Sequence, residues 1–254
     1  MAKGSSNLPG LFRYCGSKRY IVPLLKAPLL HKRVVEPYLG SGSYIMSREG
    51  PALGIDINQN IIDLWLWLKN EATHERLVEL DKICQDAVAA HPDWKPDVRS
   101  LGLSKGEQVY VRVNNTGLVV GQLSSWKIYP KYRLPVENTS GFLDRLKDVE
   151  IRLGSASSYV EEDGDLVFID PPYRGTQANY KQDAKNGIEE SYRPEDTIAL
   201  ISRIKAPIIF TYGTDAPKQF PQYEWTQLLI KKVPNMRRGG TVDRIEHVAY
   251  INWK

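Results

Sequence analysis

Apolar residues recur along the chain in two periods, and the alternation between them predicts the fold class. Unbroken apolar runs at Arg33-Val34-Val35-Glu36-Pro37, Ala52-Leu53-Gly54-Ile55 and Leu166-Val167-Phe168-Ile169 read as short strands buried on both faces. Leu77, Leu80, Ile83, Cys84 and Val88 instead recur at three- and four-residue steps, which describes an amphipathic helix closed by His91-Pro92. Asn58 is placed to cap an earlier helix through Trp65, Trp67 and Leu68. Tyr38-Leu39-Gly40-Ser41-Gly42-Ser43 reads as a glycine-bearing turn from the first strand into a helix at Tyr44-Ile45-Met46. Later helices are predicted near Phe142 to Lys147 and Asp196 to Ile204. Later strands are predicted near Ile151 to Leu153, at Pro207 to Tyr212, near Trp225 to Ile230 and near Ile245 to Ile251. Seven strands result, in a Rossmann-like α/β fold with a mostly parallel sheet, the last two forming an antiparallel hairpin at one edge.

One stretch breaks the alternation. From Asp93 to about Pro135, Trp94, Tyr110, Trp126, Tyr129 and Tyr132 interleave with Lys95, Arg99, Lys105, Arg112, Lys127, Lys131 and Arg133, and little regular structure is expected. The segment 93–135 is therefore read as a small inserted subdomain, with 1–92 and 136–254 forming the catalytic domain.

Composition narrows the class. A chain of 254 residues can bury a full α/β core, and 25% charged with 42% hydrophobic residues is ordinary for a folded soluble protein. The net charge of +4 and pI near 8.9 suit a polyanionic partner without requiring one. Cys15 and Cys84 are too few for a disulfide framework and lack partners at zinc-ligand spacing, which fits a reducing cytoplasm. His31, His74, His91 and His247 are scattered, so no metal is expected. No apolar run reaches transmembrane length, and the first seven residues lack the apolar stretch of a signal peptide.

Candidate chemistry falls at strand ends, where ligands of an open parallel sheet collect. Gly40 and Gly42 remove side chains where a backbone could approach a nucleoside-like ligand, and Asp56 ends the next strand, placed to accept ribose hydroxyls. Asp170-Pro171-Pro172-Tyr173 follows the strongest apolar strand, and such a string arises by chance in about one of 1,000 chains of this size. The prolines fix φ and donate no backbone hydrogen bond, so Asp170 and the Pro171 carbonyl form a rigid pair of acceptors for an amino group. An exocyclic amine is a poor nucleophile because its lone pair is delocalised into the ring. Two acceptors on its N–H groups let the nitrogen pyramidalise and aim that lone pair at a sulfonium methyl. Tyr173 would stack on the base, which must first leave the duplex.

With these motifs, nearly the whole chain resembles the Dam-type adenine-N6 DNA methyltransferases, in the subgroup whose cofactor motif precedes the recognition region and whose Asp-Pro-Pro-Tyr follows it. Tyr14-Cys15-Gly16-Ser17-Lys18 is similar to the family's amino-terminal cofactor element. Glu36-Pro37-Tyr38-Leu39-Gly40-Ser41-Gly42 resembles its glycine motif, and Gly54-Ile55-Asp56-Ile57-Asn58 its ribose-binding strand end. The resemblance implies S-adenosylmethionine as cofactor, held by Tyr14, Lys18, Glu36, Gly40, Gly42, Asp56 and Asp170, with Tyr159 against its adenine ring. It implies double-stranded DNA as partner, no membrane, and room for a weak or DNA-dependent homodimer. Tyr110-Val111-Arg112-Val113-Asn114-Asn115-Thr116-Gly117 opens the recognition region as in the family. Arg112, Asn114, Asn115 and Lys131 suit phosphate or base-edge contacts, Trp126 and Tyr129 suit stacking, and Arg237 and Arg238 belong to a second basic cluster. Two departures stand out: Ser158 replaces an acidic residue that relatives often carry, and Leu118-Val119-Val120-Gly121-Gln122 diverges from the family's recognition hairpin, so no target sequence is implied.

The acceptor geometry would also serve cytosine-N4 or an adenine in RNA, and a DNA-binding module that has lost activity is a further alternative. A nicotinamide dehydrogenase is disfavoured because the Gly40-Ser41-Gly42 turn lacks the third glycine of the dinucleotide fingerprint.

Overall fold

The computed structural model describes residues 11–12, 14, 17–18, 22, 25, 31–115, 125–130, 133–137, 139–172, 194–212, 218, 224–236 and 242–252, without side chains at 194, 228–236 and 242–249. Its seven strands are β1 (Arg33–Glu36), β2 (Ala52–Asp56), β3 (Val149–Leu153), β4 (Asp165–Ile169), β5 (Ile208–Tyr212), β6 (Thr226–Met236) and β7 (Val242–Ile251). They form one sheet in the order β3-β2-β1-β4-β5-β7-β6. β1 to β5 run parallel, and β7 lies antiparallel between β5 and β6. Strand order therefore reverses between β1 and β4, and the carboxyl ends of these neighbours flank the crevice where such sheets take ligands.

Side chains alternate across the sheet and build an apolar layer on each face. Val34, Ala52, Leu166, Phe168 and Ile209 pack beneath α1 (Gln59–Asn70) and α2 (His74–Ala89), where Tyr44 stacks on Phe168 at 4.6 Å. Val35, Leu53, Ile55, Val167, Ile169 and Phe210 pack on the other side against Leu200, Ile201 and Ile204, from the helix Pro194–Arg203 and just beyond it. With both faces covered, the parallel strands carry the continuous apolar runs that made them legible. Asn58 caps α1 as expected, its side chain accepting from the Asn60 amide at 3.0 Å, and Thr73 caps α2 through the Arg76 amide at 3.1 Å.

Two expectations change. Beyond the glycine turn the chain makes a single 3-10 turn, Ile45–Ser47, before β2, because Pro51 follows too soon for a longer helix. The segment 93–135 is also more regular than predicted, with a 3-10 turn at Val98–Leu101 and the helix α3 (Lys105–Asn115). Ser104 and Glu107 start α3 as a capping box: the Ser104 amide donates to Glu107 Oε2 at 2.8 Å, and the Glu107 amide donates to Ser104 Oγ at 3.4 Å. Val98, Val109, Tyr110, Val113, Ile128 and Leu134 join the same apolar cluster as α1, so these residues share the sheet's core instead of building their own. Helix α4 (Thr139–Leu146) then leads into β3, and the helix Pro194–Arg203, α5, joins β4 to β5.

Gly106 sets how closely α3 approaches α1. A Cβ there would lie 2.3 Å from Trp67 Cβ, an atom tied to the α1 backbone. Gly106→Ala is expected to lose about 1–3 kcal/mol by overpacking, despite a gain of about 1 kcal/mol in helix propensity. Urea unfolding measures the difference, and unchanged or higher stability would contradict this packing of α3 on α1.

Candidate functional site

Three acidic residues end three adjacent parallel strands at the carboxyl edge: Glu36 on β1, Asp56 on β2 and Asp170 just past β4. Each is held differently. Asp56 accepts the Gly40 amide on Oδ2 and the Asn58 amide on Oδ1, both at 2.8 Å, so one carboxylate ties the glycine turn to the start of α1. The Trp65 indole donates to the Gly40 carbonyl at 2.9 Å and fixes the same turn from below. Gly40 and Gly42 have φ of 44° and 58°, a region that side chains disfavour by about 1–2 kcal/mol. Added Cβ atoms would also meet the Tyr14 ring and the Trp65 ring respectively, each at 2.9 Å. The glycines thus allow both the turn and the close approach of two aromatic rings.

Asp170 is clamped from two sides. The ammonium of Lys18 lies 2.6 Å from Oδ1 and 2.7 Å from Oδ2, and Thr211 on β5 donates to Oδ1 at 2.6 Å. Lys18 is only 5% exposed, so this pair joins the amino-terminal segment to the tip of β4 largely out of water. Removing one member of such a pair strands the other, at a cost of about 3–5 kcal/mol. Pro171 is buried and Pro172 half-buried behind Asp170. Tyr173 lies outside the described residues.

Glu36 is buried, and its Oε1 accepts the Tyr44 amide at 2.8 Å, which caps the 3-10 turn. Its Oε2 is buried without a hydrogen-bond partner. Burial, reinforced by the negative charge of Asp170, raises the Glu36 pKa well above the ordinary carboxylate value, against the Tyr44 and Ile45 amides and Lys18, which lower it. Ser17, Ser41 and Ser43 form a ring of hydroxyl contacts of 2.9 to 3.1 Å beside the glycine turn. Neither this ring nor Thr211 was anticipated from sequence. Thr211 had a faint signal, as the polar residue that interrupts an otherwise apolar strand end.

The structure thus brings Tyr14, Lys18, Glu36, Gly40, Gly42, Asp56 and Asp170 to one edge of the sheet. Tyr159 does not join them. It is 1% exposed, packed with Val35, Val167 and Leu200, and its hydroxyl donates to Asp165 Oδ2 at 2.6 Å. Asp165 begins β4, at the end of the sheet opposite Asp170, and also receives Arg33 Nε at 2.8 Å. The Tyr159 hydroxyl is therefore committed to a structural network. Burial pushes the Asp165 pKa up, but the bonds from Arg33, Tyr159 and the Glu162 amide outweigh it and hold the group below its ordinary value.

The predicted DNA contacts also divide. Arg112 is 4% exposed, donates to the Ser125 carbonyl, and lies over the Trp126 ring at 3.6 Å. Asn114 is buried and bonds the Tyr110 carbonyl at 2.9 Å, while buried Asn115 accepts the Tyr129 amide at 3.2 Å. As placed, Arg112 and Asn115 bond the 125–130 segment to α3, and Asn114 bonds within α3 itself. Trp126 and Tyr129 remain half-buried. Around them lies a basic aromatic surface: Lys95 over Tyr129 at 4.4 Å, Arg99 over Trp126 at 5.2 Å, and Lys127 over the half-exposed Trp94 at 5.7 Å. A cleft of about 200 Å³ adjoins it, lined by Asn60, Lys105, Gln108, Val109, Arg112 and Trp126. Neither this cleft nor a second one beside Tyr159 and Arg203 includes Asp170 or Gly40. At this strand-end edge Lys18 lies on Asp170 and Tyr14 against Gly40. Lys131, Arg237 and Arg238 lie outside the described residues. Among the described residues there is no cluster of metal-ligand type and no helix long and apolar enough to cross a membrane.

No family model matches the chain. The chain is similar to the type II methyltransferase M1.LlaDCHI of Lactococcus lactis subsp. cremoris, with 24% identity over 197 residues that cover 68% of each protein. The mixed α/β sheet with its antiparallel edge is consistent with a Rossmann-like methyltransferase fold.

Tyr159→Phe removes the hydroxyl from the Asp165 network and is expected to cost about 1–2 kcal/mol of stability at neutral pH. Because the Asp165 pKa is lowered, its contribution is present above the ordinary value of 3.8 and is lost as pH falls through the lowered one. The variant's deficit in thermal unfolding should therefore shrink in acid. A neutral effect on stability, with loss of ligand binding at the Gly40 turn, would put Tyr159 back in the site.

Proposed function

We propose that this chain is an S-adenosylmethionine-dependent methyltransferase that modifies the exocyclic amino nitrogen of adenine in DNA. The observation that carries the reading is the clamped acceptor at Asp170, two strand tips away from the carboxylate-braced glycine turn at Gly40 and Asp56. The similarity to a type II methyltransferase supports the same reaction class and DNA as the substrate.

The residues present fit the cofactor. Gly40 and Gly42 put backbone without side chains at the crevice. Asp56 ends β2 beside the glycine turn, a carboxylate of the kind that accepts ribose hydroxyls. Tyr14 lies against the turn and would border the nucleoside, with the Ser17, Ser41 and Ser43 hydroxyls and Lys18 near its amino-acid end. When bound, the cofactor supplies an electrophilic methyl on sulfur. The protein's part is to accept and to orient. Asp170 takes one N–H of the amino group and the Pro171 carbonyl takes the other, so positive charge developing on nitrogen meets a carboxylate fixed in advance by Thr211. Tyr173 would stack on the extruded base.

Lys18 already occupies the acceptor. Its ammonium contacts both Asp170 oxygens, so an incoming amine must compete with a cation for them. This contact would keep Asp170 paired until a base arrives. Trp94, Lys95, Arg99, Trp126, Lys127 and Tyr129 form the face best suited to DNA, with positive charge for phosphates and rings for exposed bases. The cytosine-N4 and RNA alternatives use the same acceptor and differ only in product.

Incubation with labelled cofactor and duplex DNA, followed by digestion to nucleosides, is expected to yield N6-methyladenine. Methylcytosine, or label only in RNA, would overturn the substrate. Asp170→Ala should lower transfer by at least about 1,000-fold, the scale of losing a preorganised transition-state partner, while DNA affinity stays within about threefold. Replacing Lys95, Arg99 and Lys127 together by alanine should make the log–log salt dependence of DNA binding shallower by about 2 to 3. An unchanged slope would move the DNA face elsewhere.

A further inference from the structure

Lys18 must leave Asp170 before the acceptor can work, and a buried ammonium does not leave one carboxylate unless another takes it. Among the described residues, Glu36 lies within reach of its charge. Glu36 ends β1, the strand paired directly with β4, and its Oε2 is buried without a hydrogen-bond partner. An unpaired buried carboxyl oxygen costs stability, and nothing in the cap that Oε1 provides for Tyr44 requires it.

We propose that Glu36 is a positioning residue that receives the Lys18 ammonium when the substrate amine takes its place on Asp170. The proposal rests on the methyltransferase reading for its substrate, but not for the movement of Lys18, which can be observed in the protein alone.

Charge balance gives the movement its form. With Lys18 on Asp170, one ammonium faces one carboxylate, and burial together with the negative Asp170 favours the protonated form of Glu36. When the ammonium crosses to Glu36, that proton goes to solvent and the second ionised carboxylate, Asp170, is left facing the amine. A sulfonium entering the crevice brings the one positive charge that balances it. The other groups described around Glu36 are the Tyr44 and Ile45 amides, the buried Tyr44 phenol, and Arg48, which lies over the Tyr44 ring at 4.9 Å.

The first test needs no substrate. The Glu36 carboxyl is followed by carbon-13 NMR in the native chain, in Asp170→Asn, and in Asp170→Asn combined with Lys18→Gln. In Asp170→Asn the ammonium loses its partner and should move to Glu36, lowering that group's titration by at least about one pH unit. Adding Lys18→Gln should raise it again by a similar amount. Lys18→Gln alone, measured beside them, sets the baseline: if it raises the Glu36 titration as much as it does in Asp170→Asn, the ammonium has not moved and the proposal fails. The second test is kinetic. Glu36→Gln should lower kcat/KM for DNA by about tenfold or more and abolish the acidic limb of its pH profile, yet have less than about a twofold effect in a Lys18→Gln background, because the two residues act as one unit. Equal losses in both backgrounds, or a retained acidic limb, would mark Glu36 as merely structural. A native chain that transfers no methyl group would refute the proposed reaction, whereas the NMR series still decides the exchange.

Discussion

The pairing of Lys18 with Asp170 is the contact on which the site depends. It joins residues 152 positions apart in sequence, almost wholly out of water, at the tip of the fourth strand. A hydrophobic pair of similar size would hold the two segments together as well or better, since buried ion pairs give back in desolvation much of what they gain in attraction. Its retention at a strand end, with Thr211 bracing the same carboxylate, fits a site that must keep an acceptor dry, oriented and temporarily covered. Under the proposed function, the contact that joins these segments is also the one a substrate amine competes for.

The rest of the architecture explains why the contact lies there. Parallel strands covered on both faces bury everything except their ends, so polar function is confined to the carboxyl edge. Strand order reverses between β1 and β4, and Glu36, Asp56 and Asp170 end three neighbouring strands at that edge. Helix α3 and the segment packed on it belong to the same core as α1, which carries the basic aromatic face without a separate hinge of apolar contacts. Under the proposed function, reaction site and DNA face share this one packed core.

Much of this was legible in the sequence because burial on both faces writes itself as apolar runs. All seven strands and the helices α1, α2, α4 and α5 lie where periodicity puts them, and the glycine turn and the Asp-Pro-Pro motif fall at strand ends as expected. What failed to show did so for physical reasons. Tyr159 reads as a cofactor aromatic, but whether a tyrosine faces a pocket or a core depends on a distant hydroxyl acceptor, here Asp165. Arg112, Asn114 and Asn115 read as DNA contacts because polar residues in a helix give no sign of being buried by their neighbours. The capping box of Ser104 and Glu107 was visible in the sequence and would have shown α3, but the density of basic and aromatic residues around it masked the pattern. The clamp on Asp170 from Thr211, and the second carboxylate at Glu36, depend on strand adjacency that no local pattern encodes.

The most direct measurement of the central claim is a crystal structure of the protein with S-adenosylhomocysteine bound. The account requires the ribose hydroxyls on Asp56, the nucleoside against Tyr14 and the Gly40 turn, and the sulfur facing the Asp170 carboxylate. A nucleoside bound away from that turn, or bound there with its sulfur directed away from Asp170, would contradict it.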